Sequence, residues 1–361
     1  MKKVLASAVV LSMVLVGCGS KSNKAELAMI TDSGDINDKS FNQAAWEAVK
    51  EYGTKNKLSY KYYKPASFDT AGYKSQIKSA VSNGAKVVVL PGFKFAAAIG
   101  KIQEDSAYKD VKFILIDHQP QTEDGKLIEP KENVFSANYK EYQPGYLAGY
   151  AAVKDGYTKL GFMGGIALPA VINYGYGYLQ GANDAAKELK TKIEVKYWYS
   201  GTFNESPDIA TKAKGWYKAG TEVIFSCGGQ ICNSIFSAAT ETKKKVIGVD
   251  SDQKQQSDTV ITSAMKNVKG TVTKQLELIY SNKFKGGVNL LDAKGGFVGL
   301  PDDFSRFKKF TKADYEKIYN DVKDDKVKII SSNDVDKKAK GSPNAEQLKK
   351  VLTNTTVAYE K

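Results

Sequence analysis

Along most of the chain, short apolar runs alternate with longer segments in which apolar residues recur every third or fourth position. The first pattern suits a strand buried on both faces, the second an amphipathic helix. Read in order, they predict a strand over Glu26–Ile30, a helix over Ser40–Tyr52, a strand over Tyr60–Lys64, a helix over Thr70–Asn83, a strand over Lys86–Leu90, a helix over Phe95–Asp105 and a strand over Lys112–Ile116. A Pro- and charge-rich break, HQPQTEDGKLIEPKEN, follows, and the alternation then restarts. Strand Val134–Ala137 leads to helix Tyr142–Val153, strand Lys159–Met163 to a helix from Pro169 to about Leu189, and strand Glu194–Tyr199 to helix Pro207–Ala219. Strand Glu222–Ser226, a helix near Ser234–Thr240 and a strand from Val246 to Val249 complete the second series, which ends at Asp250. Such alternation implies parallel sheets with helices on both faces.

The chain thus contains two similar α/β halves, and 361 residues exceed what one core usually organises. In open sheets of this class ligands gather beyond the carboxyl ends of the strands, so two facing edges would make a cleft. The tail breaks the pattern: Ile261–Lys266 leads to a helix over Val268–Ile279, then a Gly-rich segment, then a helix over Lys312–Val322. A tail that revisits both halves leaves several chain crossings between them and favours hinge motion. The expected division is a first lobe of 25–138 with about 265–285, and a second of 139–264 with about 286–361.

The first residues stand outside this scheme. Lys2 and Lys3 precede an apolar run, Val4 to Val16, and then Gly17-Cys18. The run is shorter than the roughly 20 residues of a membrane-spanning helix, which marks 1–17 as a cleaved export signal. Leu15-Val16-Gly17-Cys18 resembles a bacterial lipobox, in which the Cys is acylated and becomes the amino terminus. Residues 18–24 would then be the lipidated Cys18 and its tether, holding the protein on the outer face of the cytoplasmic membrane.

Each predicted strand end carries a residue suited to a ligand: Asp32, Gly92 with Phe93, Asp117, Gly164, Thr202 with Phe203, Gly228 with Gly229, and Asp250. Carboxylates accept hydrogen bonds from hydroxyls and ring N–H groups, glycines admit a ligand close to the backbone, and aromatics offer stacking faces. In the opening loop, ITDSGDINDKSFNQAAWEA, Asp32 is the candidate for ligand, Asp38 suits a cap for the following helix, and Asp35 is expected to face water. A calcium loop counted from Asp32 would need Gly at position six and Glu at position twelve; Asn37 and Gln43 stand there, so no metal is expected.

Composition narrows the chemistry. The net charge of +13 is spread along the chain without a recognisable nucleic-acid module, so an anionic cell envelope explains it better than a nucleic-acid partner. Arg306 is the only arginine and lies outside every candidate segment, which disfavours a carboxylate or phosphate ligand. One histidine, no Gly-x-Ser-x-Gly elbow, no phosphate loop and no dinucleotide fingerprint argue against an enzyme and against a cofactor. Cys227 and Cys232 allow either a local disulfide or two buried thiols.

The opening signature ITDSGDINDKSFNQAAWEA, followed in order by FILID, YSGTFNE, VIFSCGG, VIGVDSDQ and ITSAMKNV, resembles the basic membrane protein family of bacterial lipoproteins. Its best-understood members are purine nucleoside receptors of ABC transporters. The resemblance implies a type I periplasmic-binding-protein fold, two doubly wound α/β lobes joined by a three-crossing hinge. It also implies a monomeric, non-enzymatic receptor that closes on one nucleoside and serves permease and ATPase subunits. Carried over by motif, Asp32 and Asp117 would contact or shape the purine pocket, Phe41 and Phe203 would sandwich the base from opposite lobes, and Asn42 would bond the base edge. Asp250 would accept the ribose hydroxyls, Gly228 or Gly229 would give room and a backbone contact, and Lys266 would donate to the sugar. Cys227 replaces a common Ala of the family, VINYGYGYLQ replaces a more charged helix start, and His118 stands beside the pocket, which leaves the preferred base open. The runner-up is a receptor for a sugar or other small neutral polar solute, favoured if Tyr174 and Tyr176 enter the cleft; an envelope adhesin or a nucleoside-cleaving enzyme comes after it.

Overall fold

Val87–Pro91 is buried at every position, as a strand must be when helices cover both faces of its sheet. The computed structural model describes residues 24–360, so the expected export signal, 1–17, and Cys18 lie outside the described residues. The first half runs β1 (Leu27–Ile30), α1 (Phe41–Asn56), β2 (Tyr60–Tyr63), α2 (Thr70–Ser82), β3 (Val87–Pro91), α3 (Ala96–Ile102), β4 (Lys112–Ile116) and β5 (Val134–Tyr139). The second runs α4 (Tyr142–Lys154), β6 (Lys159–Gly164), α5 (Pro169–Glu188), β7 (Ile193–Tyr199), α6 (Pro207–Lys218), β8 (Val223–Cys227), α7 (Ile231–Thr242), β9 (Lys245–Asp250) and β10 (Val260–Lys266). The tail adds α8 (Val268–Tyr280), β11 (Gly287–Leu291), β12 (Val298–Gly299), α9 (Lys312–Lys323), α10 (Glu346–Val351) and β13 (Thr355–Glu360).

Two sheets result, ordered β11-β5-β4-β3-β1-β2 and β12-β10-β9-β8-β6-β7-β13. Every pairing is parallel except that of β10 with the two-residue β12. Both lobes are therefore doubly wound, and in both the strand order reverses beside the first strand, between β1 and β3 and between β6 and β8. Such a reversal parts the loops at the carboxyl edge and opens a crevice. The chain passes between the lobes after β5, after β10 and after β11. Lys140 and Asp292, from the first and third crossings, pair at 2.9 Å.

The second visit to the first lobe extends further than 285: Gly287–Leu291 pairs with Phe135–Tyr139 at the edge of the first sheet. Its burial alternates between half-buried and exposed positions, a weak signal typical of an edge strand. Residues 324–360 wrap the second lobe, with β13 closing its sheet against β7. Side chains of α5 hold this wrap: Gln180 brackets Ile330 with two hydrogen bonds of 2.8 and 2.9 Å, and the Tyr176 hydroxyl accepts from Gly341 N at 2.9 Å. Glycines of α5 serve helix packing: a Cβ on Gly177 would lie 2.0 Å from the Tyr142 carbonyl oxygen, and one on Gly181 1.9 Å from that of Tyr146. Without side chains there, α4 and α5 touch backbone to backbone.

Candidate ligand-binding site

The first jaw is built by the loop between β1 and α1. Asp38, buried, accepts from the backbone N–H groups of Ser40, Asn42 and Gln43 at 2.9–3.1 Å, which satisfies free donors at the start of α1 and fixes how the helix leaves the loop. Burial pushes its carboxyl up to about 6. Asp35 takes Asn37 N and Nδ2 at 3.0 Å each and remains partly exposed. Asp32, at the end of β1, receives Gly34 N at 2.7 Å and Asn42 Nδ2 at 3.1 Å, and burial raises its carboxyl above the ordinary range. Phe41 and Asn42 open α1 beside it. The other oxygen-bearing arm of Asn42, its Oδ1, is buried with no partner in the protein.

The second jaw forms at the ends of β6, β8 and β9. Phe203 seats its ring over bare backbone: a Cβ on Gly165 would lie 2.4 Å from the ring, and one on Gly228 3.1 Å from it. Gly228 and Gly229 both have positive φ, 154° and 56°, so the turn as well as the ring demands glycine. Asp250 and Asp117 end β9 and β4 in the left-handed region, at φ 63° and 69°. Two non-glycine residues in that region at facing strand ends mark strain of the kind held at functional sites.

Lys266 joins the jaws. It is 4% exposed, ion-pairs with Asp117 of the first lobe, lies 3.5 Å from Asp250 of the second, and sits 4.7 Å from the Phe41 ring centroid. Burial opposes its charge, but Asp117, Asp250 and Glu141 together hold it protonated well above the usual lysine range. Burial likewise raises Asp117 against the pull of Lys266. Asp117 Oδ1 is a second buried acceptor with no partner in the protein. Asp32, Phe41, Asn42, Asp117, Phe203, Gly228, Gly229, Asp250 and Lys266 all border one cavity of about 900 Å³. Small-molecule sites typically span about 300–1,000 Å³. His118 borders it too, and burial lowers its imidazole below the ordinary value, which keeps the ring neutral at pH 7. Tyr174 reaches the cavity, its hydroxyl 3.5 Å from Asp250 Oδ1; Tyr176 points away, into the tail.

Cys227 and Cys232 are free and buried. Burial raises the Cys227 thiol well above its usual value and that of Cys232 to about 11, so neither is a nucleophile at neutral pH. Among the described residues no group of three or more His, Cys, Asp or Glu side chains could hold a metal ion, and no helix is long and apolar enough to cross a membrane.

Several residues of the site carry no signal in the sequence. Glu141, in the first crossing, is buried at the cavity wall, and burial pushes its carboxyl up to about 7. Ser40 donates across the cleft to Asp250 Oδ2 at 2.7 Å. Outside the cavity, the Lys39 carbonyl accepts from Ser251 Oγ, Gln253 Nε2 and Gln256 Nε2 at 3.2, 3.2 and 2.9 Å, three donors of the second lobe on one acceptor of the first. Gln253 is the last residue of VIGVDSDQ, so that motif holds the lobes together as well as carrying Asp250. Bonds that run from one lobe to the other would break if the lobes parted. Gln256→Ala should therefore weaken ligand binding by about twofold to tenfold, although Gln256 does not border the cavity. Calorimetry would check this; unchanged affinity would mean that the Lys39 contacts do not bias closure.

Comparison with known proteins adds to this geometry. A family model described as "ABC transporter substrate-binding protein PnrA-like" matches residues 25–336. The chain is similar to the ABC transporter nucleoside-binding protein BmpA of Lactococcus lactis, 30% identical over 336 residues, covering 83% of this chain and 91% of that one. It is also similar to the CD4+ T-cell-stimulating antigen of Listeria monocytogenes, 27% identical over 361 residues and 90% and 96% of the two chains. Among solved structures, an ABC transporter solute-binding protein from Aeropyrum pernix superposes with a TM-score of 0.79 at 21% identity, covering 90% of this chain and 98% of that one. At that identity the likeness concerns the fold, which is the two-lobe periplasmic-binding-protein arrangement.

Proposed function

This chain belongs to the Bmp family of PnrA-like ABC transporter substrate-binding proteins, and from that premise we propose that it is a lipid-anchored receptor that closes on a purine nucleoside and hands it to a membrane permease. The observation that carries the reading is the pairing of two aromatic rings, Phe41 and Phe203, from opposite lobes on one cavity with unpartnered acceptors at Asn42 Oδ1 and Asp117 Oδ1. A base stacks between flat faces, at about 1–3 kcal/mol per base, and its ring N–H and amino groups need acceptors. Asp32 lies beside Asn42 on the base side; Asp250 and Lys266, with the Gly228–Gly229 turn, offer an acceptor, a donor and close backbone to a sugar. The name of the Lactococcus relative supports the ligand class.

Cys18 is the proposed site of acylation, and the anchor keeps the receptor on the outer face of the cytoplasmic membrane beside the permease and its ATPase subunits. Because the ligand touches both lobes only when they close, it stabilises that state by its differential affinity and undergoes no reaction. The second reading, a sugar or other small neutral polar solute, draws on Tyr174, which reaches the cavity. Titration calorimetry of the mature domain against adenosine, guanosine, inosine, cytidine and ribose should give heat with one or more purine nucleosides and none with ribose. Binding of ribose alone would favour the second reading, and silence from all five would sink the first.

A further inference from the structure

The cavity continues past Lys266 to a polar wall that neither the aromatic pair nor the Asp250 side explains. Three residues from separate parts of the chain meet there: Glu141 of the first crossing, Asn173 of α5 and Ser332 of the tail, all bordering the cavity. Asn173 links the other two. Its Nδ2 donates to Glu141 Oε2 at 3.1 Å, and its Oδ1 accepts from Ser332 N at 2.8 Å, so both ends of the amide are occupied. Among the described residues this is the one side-chain hydrogen bond that the Glu141 carboxyl receives. Ser332 is 2% exposed, and its hydroxyl has no hydrogen-bond partner in the protein.

A buried hydroxyl without a partner is a cost to folding, so folding alone gives no reason to keep one at this position. The segment is nonetheless held firmly. Gln180 brackets Ile330 on one side, and Asp334 accepts from Ser331 N and Oγ at 2.8 and 2.6 Å. A Ser hydroxyl on firmly held backbone that can donate, one Asn side chain away from a carboxyl that can accept, matches a group that does both, which is a hydroxyl. We propose that Glu141 and Ser332, positioned by Asn173, form a hydroxyl-selecting subsite that takes the exocyclic hydroxyl of the nucleoside's sugar. The assignment rests on the nucleoside reading above: with the base between the aromatic rings and the ring hydroxyls at Asp250 and Lys266, the exocyclic hydroxyl is the next group toward the hinge. The ligand hydroxyl donates to Glu141 and accepts from Ser332 Oγ. Lys337 and Lys340 also border this end, but they stand exposed at its mouth, where solvent screens them.

The test is calorimetry of the mature protein, Glu141→Gln and Ser332→Ala against inosine and 5′-deoxyinosine, with melting temperatures alongside. The wild type should bind inosine about tenfold or more tighter than 5′-deoxyinosine; Ser332→Ala should lose most of that preference while binding 5′-deoxyinosine nearly as the wild type does, and Glu141→Gln should lose most of it too, any effect of the missing charge on Lys266 falling on both ligands alike. Ser332→Ala should melt no lower than the wild type, because the hydroxyl it removes has no internal partner to lose. Gln at 141 retains an acceptor for Asn173 Nδ2, so that variant should also keep the local arrangement. Equal losses for both ligands, or a wild type indifferent to the exocyclic hydroxyl, would overturn the subsite and leave the nucleoside reading standing. A wild type that binds no nucleoside would overturn the reading, and the subsite with it.

Discussion

Lys266→Met is expected to lower folding stability by about 3–5 kcal/mol at pH 8, and by clearly less at pH 5. Among the described residues, Lys266 is the one cation placed among Asp117, Asp250 and Glu141 in the buried cleft. Removing one partner of a buried pair leaves the other charge desolvated and unpaired, which accounts for the size of the effect. The pH dependence follows from the carboxyls. Burial already raises Asp117 and takes Glu141 to about 7, with the pull of Lys266 opposing both shifts. Without Lys266 their folded values rise further above the unfolded ones. A carboxyl raised in this way binds more protons when folded, so its contribution is fully present below the unfolded value and is lost as pH rises through the folded value. The variant's deficit should therefore open between about pH 5 and pH 8. Denaturant unfolding at the two pH values measures it; a deficit equal at both, or absent, would mean that the carboxyls do not depend on Lys266 for their charge.

The alternation of apolar runs made the two α/β lobes legible, because strands covered on both faces, such as Val87–Pro91 and Val223–Cys227, leave no room for charged residues. Of the edge strands, β2 was legible and the other three were not. β11 and β13 have half-exposed faces and β12 has two residues, so their place is set by what they pair with. The same divide runs through the site. Asp32, Asp117 and Asp250 sit at strand ends, where position alone suggests a ligand, and Asp38 is where a cap belongs. Lys266 has no such mark among so many lysines; only motif resemblance singled it out, and the cleft shows why a cation is required there. Glu141, Asn173 and Ser332 could not be found in advance. They meet because the tail folds back over α5, a long-range event with no local pattern. The glycines of VINYGYGYLQ look like a departure in a ligand-facing helix, yet Gly177, like Gly181 just beyond that stretch, is set by the contact with α4.

Asp250→Asn should weaken inosine binding by about tenfold to a hundredfold more than it weakens 2′,3′-dideoxyinosine binding. Asn is the informative replacement because Asp250 stands at φ 63°, a conformation that Asn adopts readily and Ala does not. Strain is thereby kept out of the comparison, and the change is confined to charge and to one acceptor oxygen. Charge-assisted hydrogen bonds are roughly twice as strong as neutral ones, so two sugar hydroxyls that lose a carboxylate partner account for the range. Asp250 also accepts from Ser40 across the cleft at 2.7 Å, and weakening that bond loosens the closed state whatever the ligand. That part of the loss falls equally on inosine and on the dideoxy analogue, whereas the sugar contact falls on inosine alone. The difference between the two ligands therefore isolates recognition from closure. If both lose affinity to the same extent, Asp250 acts only as a clasp between the lobes and the sugar is held elsewhere. If neither does, the cleft as drawn does not bind the sugar through this carboxylate.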